Sequence, residues 1–368
     1  MSSIRHVYLT KKVKKLAPMT LQSLGWSAFF EAKLQTTLAH PCRVISEGTD
    51  LFLVHDGVRE VFAWPRGRLR IQRDFPPVVG DWVLVEYADD DRYVIESILE
   101  RRTAIVRKQA GSRASAQVLA ANIDRVLLMT SMNQDFSVRR LERYLTLIWD
   151  SGATPIIALT KADLVTDPSP FRREAEKCAL GFPVLCISSL SGDGIGELRS
   201  SLVAGETVVL LGSSGVGKSS LINLLGGAEV RKTRSVREED GKGRHATTDR
   251  QLVRLSSGVL LIDTPGLREV QLWATDTAVS QTFPEVSELA IDCRFRDCQH
   301  QGEPGCAVVA GVGTGQIHAD RLESFHRLRR EVDRLDRQSD PLLAKQHKSK
   351  IKRIMRDQEQ QQRRRIKP

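Results

Sequence analysis

The sequence predicts a multi-domain α/β protein: an N-terminal OB-type β-barrel, a parallel sheet with helices on both faces, and a C-terminal cysteine-rich helical module. Three observations carry this prediction. Between Cys42 and Val106, short β-rich runs alternate with Gly, Pro and Asp punctuation. From Asn122 onward, apolar strands alternate with amphipathic helices, and each strand ends at a loop rich in Ser, Thr or Gly. Finally, Cys293, Cys298 and Cys306, three of the six cysteines, crowd into one short stretch.

At 368 residues the chain has room for two to three domains of about 100–200 residues each. Hydrophobic content of 41% and charged content of 27% are ordinary for a globular protein. The absence of any apolar run of about 18 residues argues against a membrane partner. Residues 1–40 form a basic extension with Arg5, Lys11, Lys12, Lys14 and Lys15 near its start. They lack the apolar core of roughly 7–15 residues that a secretory signal needs, so a cytoplasmic location is expected. Within this extension, Leu24-Gly25-Trp26 is expected to dock on the body of the protein.

The barrel, residues 41–106, is read from the runs Leu51–Val54, Val58–Trp64, Asp81–Tyr87 and Tyr93–Ile98, with Arg66, Arg68, Arg70 and Arg73 near its middle. At the other end of the chain, Pro341 to Pro368 carries ten Lys/Arg against Asp357 and Glu359, which is +8 of the total +10. A basic tail on a near-neutral body suits a phosphate-rich polymer, through counterion release; a solvated tail that aids solubility is the alternative.

The strongest chemical signal lies between these ends. Gly212-Ser213-Ser214-Gly215-Val216-Gly217-Lys218-Ser219 fits the phosphate-loop pattern GxxxxGK[ST], follows the apolar strand Thr207–Leu211 and opens a helix at Ser220–Leu225. Its glycines let backbone N–H groups converge on phosphate oxygens, Lys218 is placed to reach the β- and γ-phosphates, and Ser219 to ligate Mg²⁺. Asp263-Thr264-Pro265-Gly266 follows the strand Val259–Ile262. Asp263 is expected to hold the Mg²⁺ shell through water, and the Gly266 N–H to meet the γ-phosphate. The glycine-rich stretch from Gly241 to Asp249 reads as a switch loop with Thr248 as its Mg²⁺ ligand and Thr247 as the fallback; a plain surface loop is the alternative.

Thr160-Lys161-Ala162-Asp163, after the strand Pro155–Leu159, selects the base. The Asp163 carboxylate can accept from both N1–H and the N2 amine of guanine, whereas adenine offers no such donor pair. The stem of Lys161 can lie over the ring, and Ser188-Ser189-Leu190, after Val184–Ile187, is the small-residue loop that backs the base. In Ras-type GTPases the base-reading motifs follow the phosphate loop; here they precede it. Because strand ends of a parallel sheet converge whatever the chain order, residues 107–275 read as a circularly permuted P-loop GTPase domain.

With these motifs in view, the chain resembles the circularly permuted ribosome-assembly GTPases, the small-subunit-dependent GTPase A family. The resemblance extends over nearly the whole chain: Leu24-Gly25-Trp26, Val79-Gly80-Asp81-Trp82-Val83, the permuted motifs and the cysteine module. It implies a cytoplasmic bacterial enzyme that binds the small ribosomal subunit and its rRNA late in maturation and hydrolyses GTP to GDP on stimulation by it, as a checkpoint or release factor; a monomer is the natural state for such a particle-bound factor. Two local departures from the family pattern are Ala246, where many members have a first switch threonine, and Ser213, where glutamine is frequent.

Leu267 occupies the position where Ras-like enzymes carry a water-orienting glutamine, so slow intrinsic turnover is expected. The resemblance points to His245 in the switch loop as the water-positioning group; an RNA contact, or no role, is the alternative for it. Cys293, Cys298, His300 and Cys306 offer three thiolates and an imidazole, the ligand set of a structural Zn²⁺ site. Their spacing is not that of a zinc finger, and the resemblance of Cys-Arg-Phe-Arg-Asp-Cys-Gln-His to the family's module supports one structural Zn²⁺ in a C-terminal zinc-binding helical module at 276–340. Helices around Ala319–Arg337 complete that module, and 341–368 is the basic tail.

Overall fold

The computed structural model describes residues 20–34, 39–48, 50–67, 69, 76–88, 92–108, 116–226, 250–263 and 275–339. The chain divides into two compact units: residues 1–106, 118–144 and 151–270 form the first, and residues 107–117, 145–150 and 271–368 the second.

In the first unit a one-turn helix, α1 (Ala28–Glu31), precedes five barrel strands: β1 (His40–Ser46), β2 (Phe52–His55), β3 (Glu60–Pro65), β4 (Trp82–Ala88) and β5 (Arg92–Ile98). They are ordered β1-β2-β3-β5-β4, and a β1–β4 pairing closes the barrel. The β3–β5 pair is parallel and the rest antiparallel, the connectivity of an OB-type barrel. Val44, Phe52, Val54, Ala63, Val83, Val85 and Ile95 fill the interior together with Cys42. Burial, helped by Asp56, pushes the Cys42 thiol up to about 12, which leaves it protonated and unreactive at neutral pH. β3 starts later than the run Val58–Trp64 suggests. The Asp56 carboxylate accepts the backbone N–H groups of Val58 and Arg59, both at 2.7 Å, and holds them in a turn.

A hairpin, β6 (Ala104–Lys108) and β7 (Ala116–Ala121), leads to the parallel sheet. Its elements are β8 (Arg125–Ser131), α2 (Val138–Ser151), β9 (Thr154–Thr160), α3 (Ser169–Ala179), β10 (Val184–Cys186), α4 (Ile195–Ser201), β11 (Thr207–Gly212), a helix α5 over 218–226, β12 (Gln251–Arg254) and β13 (Leu260–Asp263). The strand order is β10-β9-β8-β11-β13-β12, all parallel except β12. β8, β9 and β11 are buried almost throughout, because both faces of a parallel sheet are covered. On α2, Leu141, Tyr144, Leu145 and Ile148 are buried at the i, i+3, i+4, i+7 spacing of an amphipathic helix.

The barrel and this sheet are continuous, since β1 also pairs with β12 at Ser46–Gln251. The junction centres on Arg43 of β1, which is 1% exposed. Its Nη1 donates to the Leu24 carbonyl at 3.2 Å, and its Nη2 to the Asn122 carbonyl at 3.0 Å and Thr207 Oγ1 at 3.2 Å. The guanidinium lies 5.1 Å from the Trp82 ring centre, and Trp82 in turn meets Trp26 edge-on at 4.7 Å, so Leu24-Gly25-Trp26 docks here as expected. Burial pulls Arg43 down to about 10 against the opposing pull of Asp124 and Asp81, so it stays charged at neutral pH. Asp81 is itself fully buried and held bidentately by Arg101 at 2.8 Å through each oxygen.

In the second unit α6 (Asp276–Thr282), α7 (Pro284–Ala290), α8 (Ala307–Gly313) and α9 (Ala319–Ser339) surround the cysteine loop. The region around Ala319–Arg337 is one helix rather than several. Arg68, Arg70, Arg73 and the tail 341–368 lie outside the described residues; Arg66 pairs with Glu96.

Arg43→Met removes a buried cation and strands the carbonyls of Leu24 and Asn122 without donors. It is expected to lower the unfolding free energy by about 3 kcal/mol, read as a drop in the urea midpoint. An unchanged midpoint contradicts this account of the junction.

Candidate nucleotide and metal sites

The phosphate loop leaves the sheet from β11, which lies between β8 and β13 in parallel register. Gly212 ends the strand so close to its neighbour that a Cβ would stand 2.4 Å from the Met129 carbonyl oxygen. Gly217, with φ +100°, adopts a backbone that side-chain-bearing residues rarely take. Residues from Lys218 onward are helical, so the helix begins two residues earlier than Ser220. Its first closing bond runs from the Leu221 N–H to the Gly217 carbonyl at 2.9 Å. The loop's N–H groups therefore sit at a helix N-terminus, which favours phosphate. Val216 is buried in the core, whereas Ser214, Gly215, Ser219 and Ser220 face solvent and Ser213 is half-buried. Lys218 folds back over the loop, with Nζ donating to the carbonyls of Gly212 at 2.5 Å and Ser213 at 2.6 Å. That position keeps its ammonium within the bend where phosphate oxygens would gather.

The residues expected to read the base stand at neighbouring strand ends. Thr160 closes β9, and its hydroxyl donates to the Val216 carbonyl at 2.8 Å, joining this motif to the phosphate loop across a sequence separation of 56. Lys161 takes a left-handed backbone, φ +60°, which turns the chain so that the Ala162 N–H reaches the Ile187 carbonyl at 3.1 Å. The turn leaves the Asp163 carboxylate exposed, with Oδ1 accepting from the Ser188 hydroxyl at 2.5 Å. Ser188 Oγ also accepts the N–H groups of Leu190 and Ser191 at 3.1 Å each, so it shapes its own loop while fixing Asp163. Ser189 is half-buried beside it. Thus the chain brings together Thr160, Lys161, Asp163, Ser188, Ser189 and the loop from Gly212 to Ser220. The Thr160–Val216 link was not apparent in the sequence; the position of the threonine directly before Lys161 was its only signal.

Of the residues expected to hold Mg²⁺, Ser219 stands in the first turn of α5 and Asp263 ends β13, whose Ile262 pairs with Val209 of β11. A hydroxyl and a carboxylate are the hard oxygen donors this ion takes. His245, Thr247, Thr248 and Gly266 lie outside the described residues.

In the second unit the ligand atoms of Cys293, Cys298, His300 and Cys306 all lie within 4.8 Å of one another. Cys306 Sγ is 3.5 Å from His300 Nδ1, Cys293 Sγ is 3.6 Å from the same nitrogen, and the two sulfurs are 3.9 Å apart. These separations fit the edges of a tetrahedron with metal–ligand bonds of about 2.0–2.3 Å. The cluster can therefore hold a structural metal ion through Nδ1 of His300. Two features hold the loop in this shape. Glu303 accepts the N–H groups of Gln299 at 2.9 Å and Gln301 at 2.7 Å. His326 of α9 donates from Nε2 to the His300 carbonyl at 3.0 Å. Neither is marked by the ligand spacing.

Thr160→Val keeps the shape of the side chain but leaves the Val216 carbonyl without its donor. It is expected to weaken binding of a fluorescent GDP analogue about five- to ten-fold, measured by equilibrium titration. Wild-type affinity contradicts a structural link between the two motifs.

Comparison with known proteins agrees with this geometry. The RsgA GTPase family model matches residues 98–273. The small ribosomal subunit biogenesis GTPase RsgA of Opitutus terrae is 42% identical over 361 residues, 94% of this chain and 98% of that one. The crystal structure of YjeQ from Thermotoga maritima superposes with a TM-score of 0.61 at 27% identity, over 80% of this chain and 99% of its own. YloQ, described as a circularly permuted GTPase, gives 0.57 at 26% identity, over 80% and 95%. The permuted order of motifs, the closed barrel ahead of them and full-length similarity to curated relatives together show that this chain is a GTP-hydrolysing enzyme belonging to the RsgA GTPase family.

Proposed function

We propose that this chain binds the small ribosomal subunit late in its maturation and hydrolyses GTP when that particle completes its active site. The observation that carries this reading is the Thr160–Val216 bond, which joins the motifs read as guanine- and phosphate-binding, in a chain whose sequence places Leu267 where a water-orienting glutamine would stand. Leucine can neither accept from nor donate to water, so an unaided site is slow and a partner has chemistry to add. The curated relative of Opitutus terrae carries the small ribosomal subunit in its name, which supports that partner.

In the reaction a water oxygen forms a bond to the γ-phosphorus while the bond to the β–γ bridging oxygen breaks, releasing GDP and phosphate. Asp163 and Lys161 hold guanine, Ser188 keeps Asp163 oriented, and the Gly212–Ser219 backbone with Lys218 neutralises charge on the phosphates. Ser219, Thr248 and Asp263 are the residues that would hold Mg²⁺, which when bound supplies further positive charge to the β- and γ-oxygens. The Gly266 N–H meets the γ-phosphate, and His245 orients the water. GTP orders the switch loop and favours the subunit-bound state, and hydrolysis favours release, which makes the enzyme a checkpoint. The barrel, the zinc module and the basic tail contact rRNA. The protein acts as a cytoplasmic monomer; among the described residues no helix is long and apolar enough to cross a membrane.

Purified small subunits are expected to raise GTP turnover about ten-fold or more over enzyme alone, with large subunits inert. Equal rates with tight GTP binding would favour an RNA-binding module in which nucleotide is only a structural ligand. Zinc is the expected ion of the cysteine cluster. Elemental measurement should find about one zinc per chain, and Cys306→Ala should lose it and melt at lower temperature. A zinc-free protein with unchanged melting contradicts the assignment.

A further inference from the structure

Strand β1 belongs to the barrel, yet it contacts the first residue of the strand that carries the phosphate loop and pairs with the strand that lies beside Asp263. Through Arg43 it reaches Thr207 at the start of β11, the strand that carries the phosphate loop. Three residues later it meets β12. Ser46 pairs with Gln251, and Gln251 pairs with Asp263 of β13, so a single backbone register line crosses three strands from the barrel to Asp263, the residue assigned to Mg²⁺. Beside this line Arg250 Nη1 donates to Glu47 Oε1 at 2.7 Å. The two side chains are only 13% and 21% exposed, so water screens the pair weakly. Ser46–Gln251 is the sole register pair between β1 and β12 among the described residues, and the Arg250–Glu47 ion pair adds a side-chain tie across the same seam.

We infer that Glu47 and Arg250 are positioning residues for the magnesium end of the nucleotide site. By clamping the start of β12 to the barrel, they fix where β12 holds the end of β13, and with it Asp263. Neither residue touches nucleotide. Their effect travels through a backbone ladder, which passes on a displacement because its hydrogen bonds fix strand register. Anything that shifts the barrel on its β1 edge would then change how the site uses Mg²⁺. This inference rests on the assignment of Asp263 to the Mg²⁺ shell.

The test uses the full-length, zinc-loaded protein and a fluorescent, non-hydrolysable GTP analogue, titrated at a series of Mg²⁺ concentrations and in EDTA. Glu47→Gln and Arg250→Gln should each raise the Mg²⁺ concentration needed for half-maximal tightening by about five-fold. Affinity in EDTA should stay within about two-fold of wild type, a split that a merely structural role would not produce. The double variant should shift about as far as either single, because the second change removes nothing further from a pair already broken. Unshifted Mg²⁺ dependence, equal weakening with and without Mg²⁺, or a double variant whose shift is the product of the two singles would each overturn the inference. Asp263→Asn separates the two levels of the argument. If it shifts the Mg²⁺ dependence and Glu47→Gln does not, only the clamp fails; if Asp263→Asn leaves it unshifted, the Mg²⁺ assignment falls and the clamp with it.

Discussion

Parallel register is the constraint on which the nucleotide site depends. With β10, β9, β8, β11 and β13 all running the same way, their carboxyl ends reach one edge of the sheet. Thr160, Ser188, Gly212 and Asp263 stand at or just beyond four of those ends. Chain order is then free to vary, because a site built from strand ends asks only that neighbours in the sheet remain neighbours. The strands β9 and β10, whose ends carry the proposed base-reading residues, come before the phosphate-loop strand in this chain, and the bond from Thr160 to the Val216 carbonyl still spans the two motifs.

Attaching a barrel to such a sheet requires a junction between elements that have no local sequence relation. Arg43 supplies it by burying a cation, a choice that is stable only because carbonyls, a hydroxyl and an aromatic face surround it. Those partners come from the N-terminal segment, from Asn122 before β8, from Thr207 at the start of β11 and from Trp82 of the barrel. One residue thus ties together the segments that must be assembled before the phosphate loop has a fixed base.

Much of this was legible in the sequence. Continuous apolar runs such as Pro155–Leu159 and Thr207–Leu211 marked the buried parallel strands, and motif residues followed each of these two directly. The strands β1 and β12 were harder to read. β1 contains Pro41 and a buried Arg43, so its pattern looks polar until partners 79 and 164 positions away are in place. β12 has only four residues, of which Leu252 alone is buried, too short for a period to show. The cysteine cluster was legible as a ligand set, but the roles of Glu303 and His326 depend on a loop shape that ligand spacing does not encode. Thr248, His245 and Gly266 remain readings from the motifs alone.

The central claim is that Thr160–Asp163 and Gly212–Ser219 form one site that reads guanine through the Asp163 carboxylate. Competition against labelled GDP by GTP, ITP and ATP tests it most directly. Inosine keeps N1–H but lacks the N2 amine, and adenine lacks both donors. The account predicts that GTP competes best, that ITP is weaker by about ten-fold or more, and that ATP is weaker still. Equal competition by all three nucleotides would contradict it.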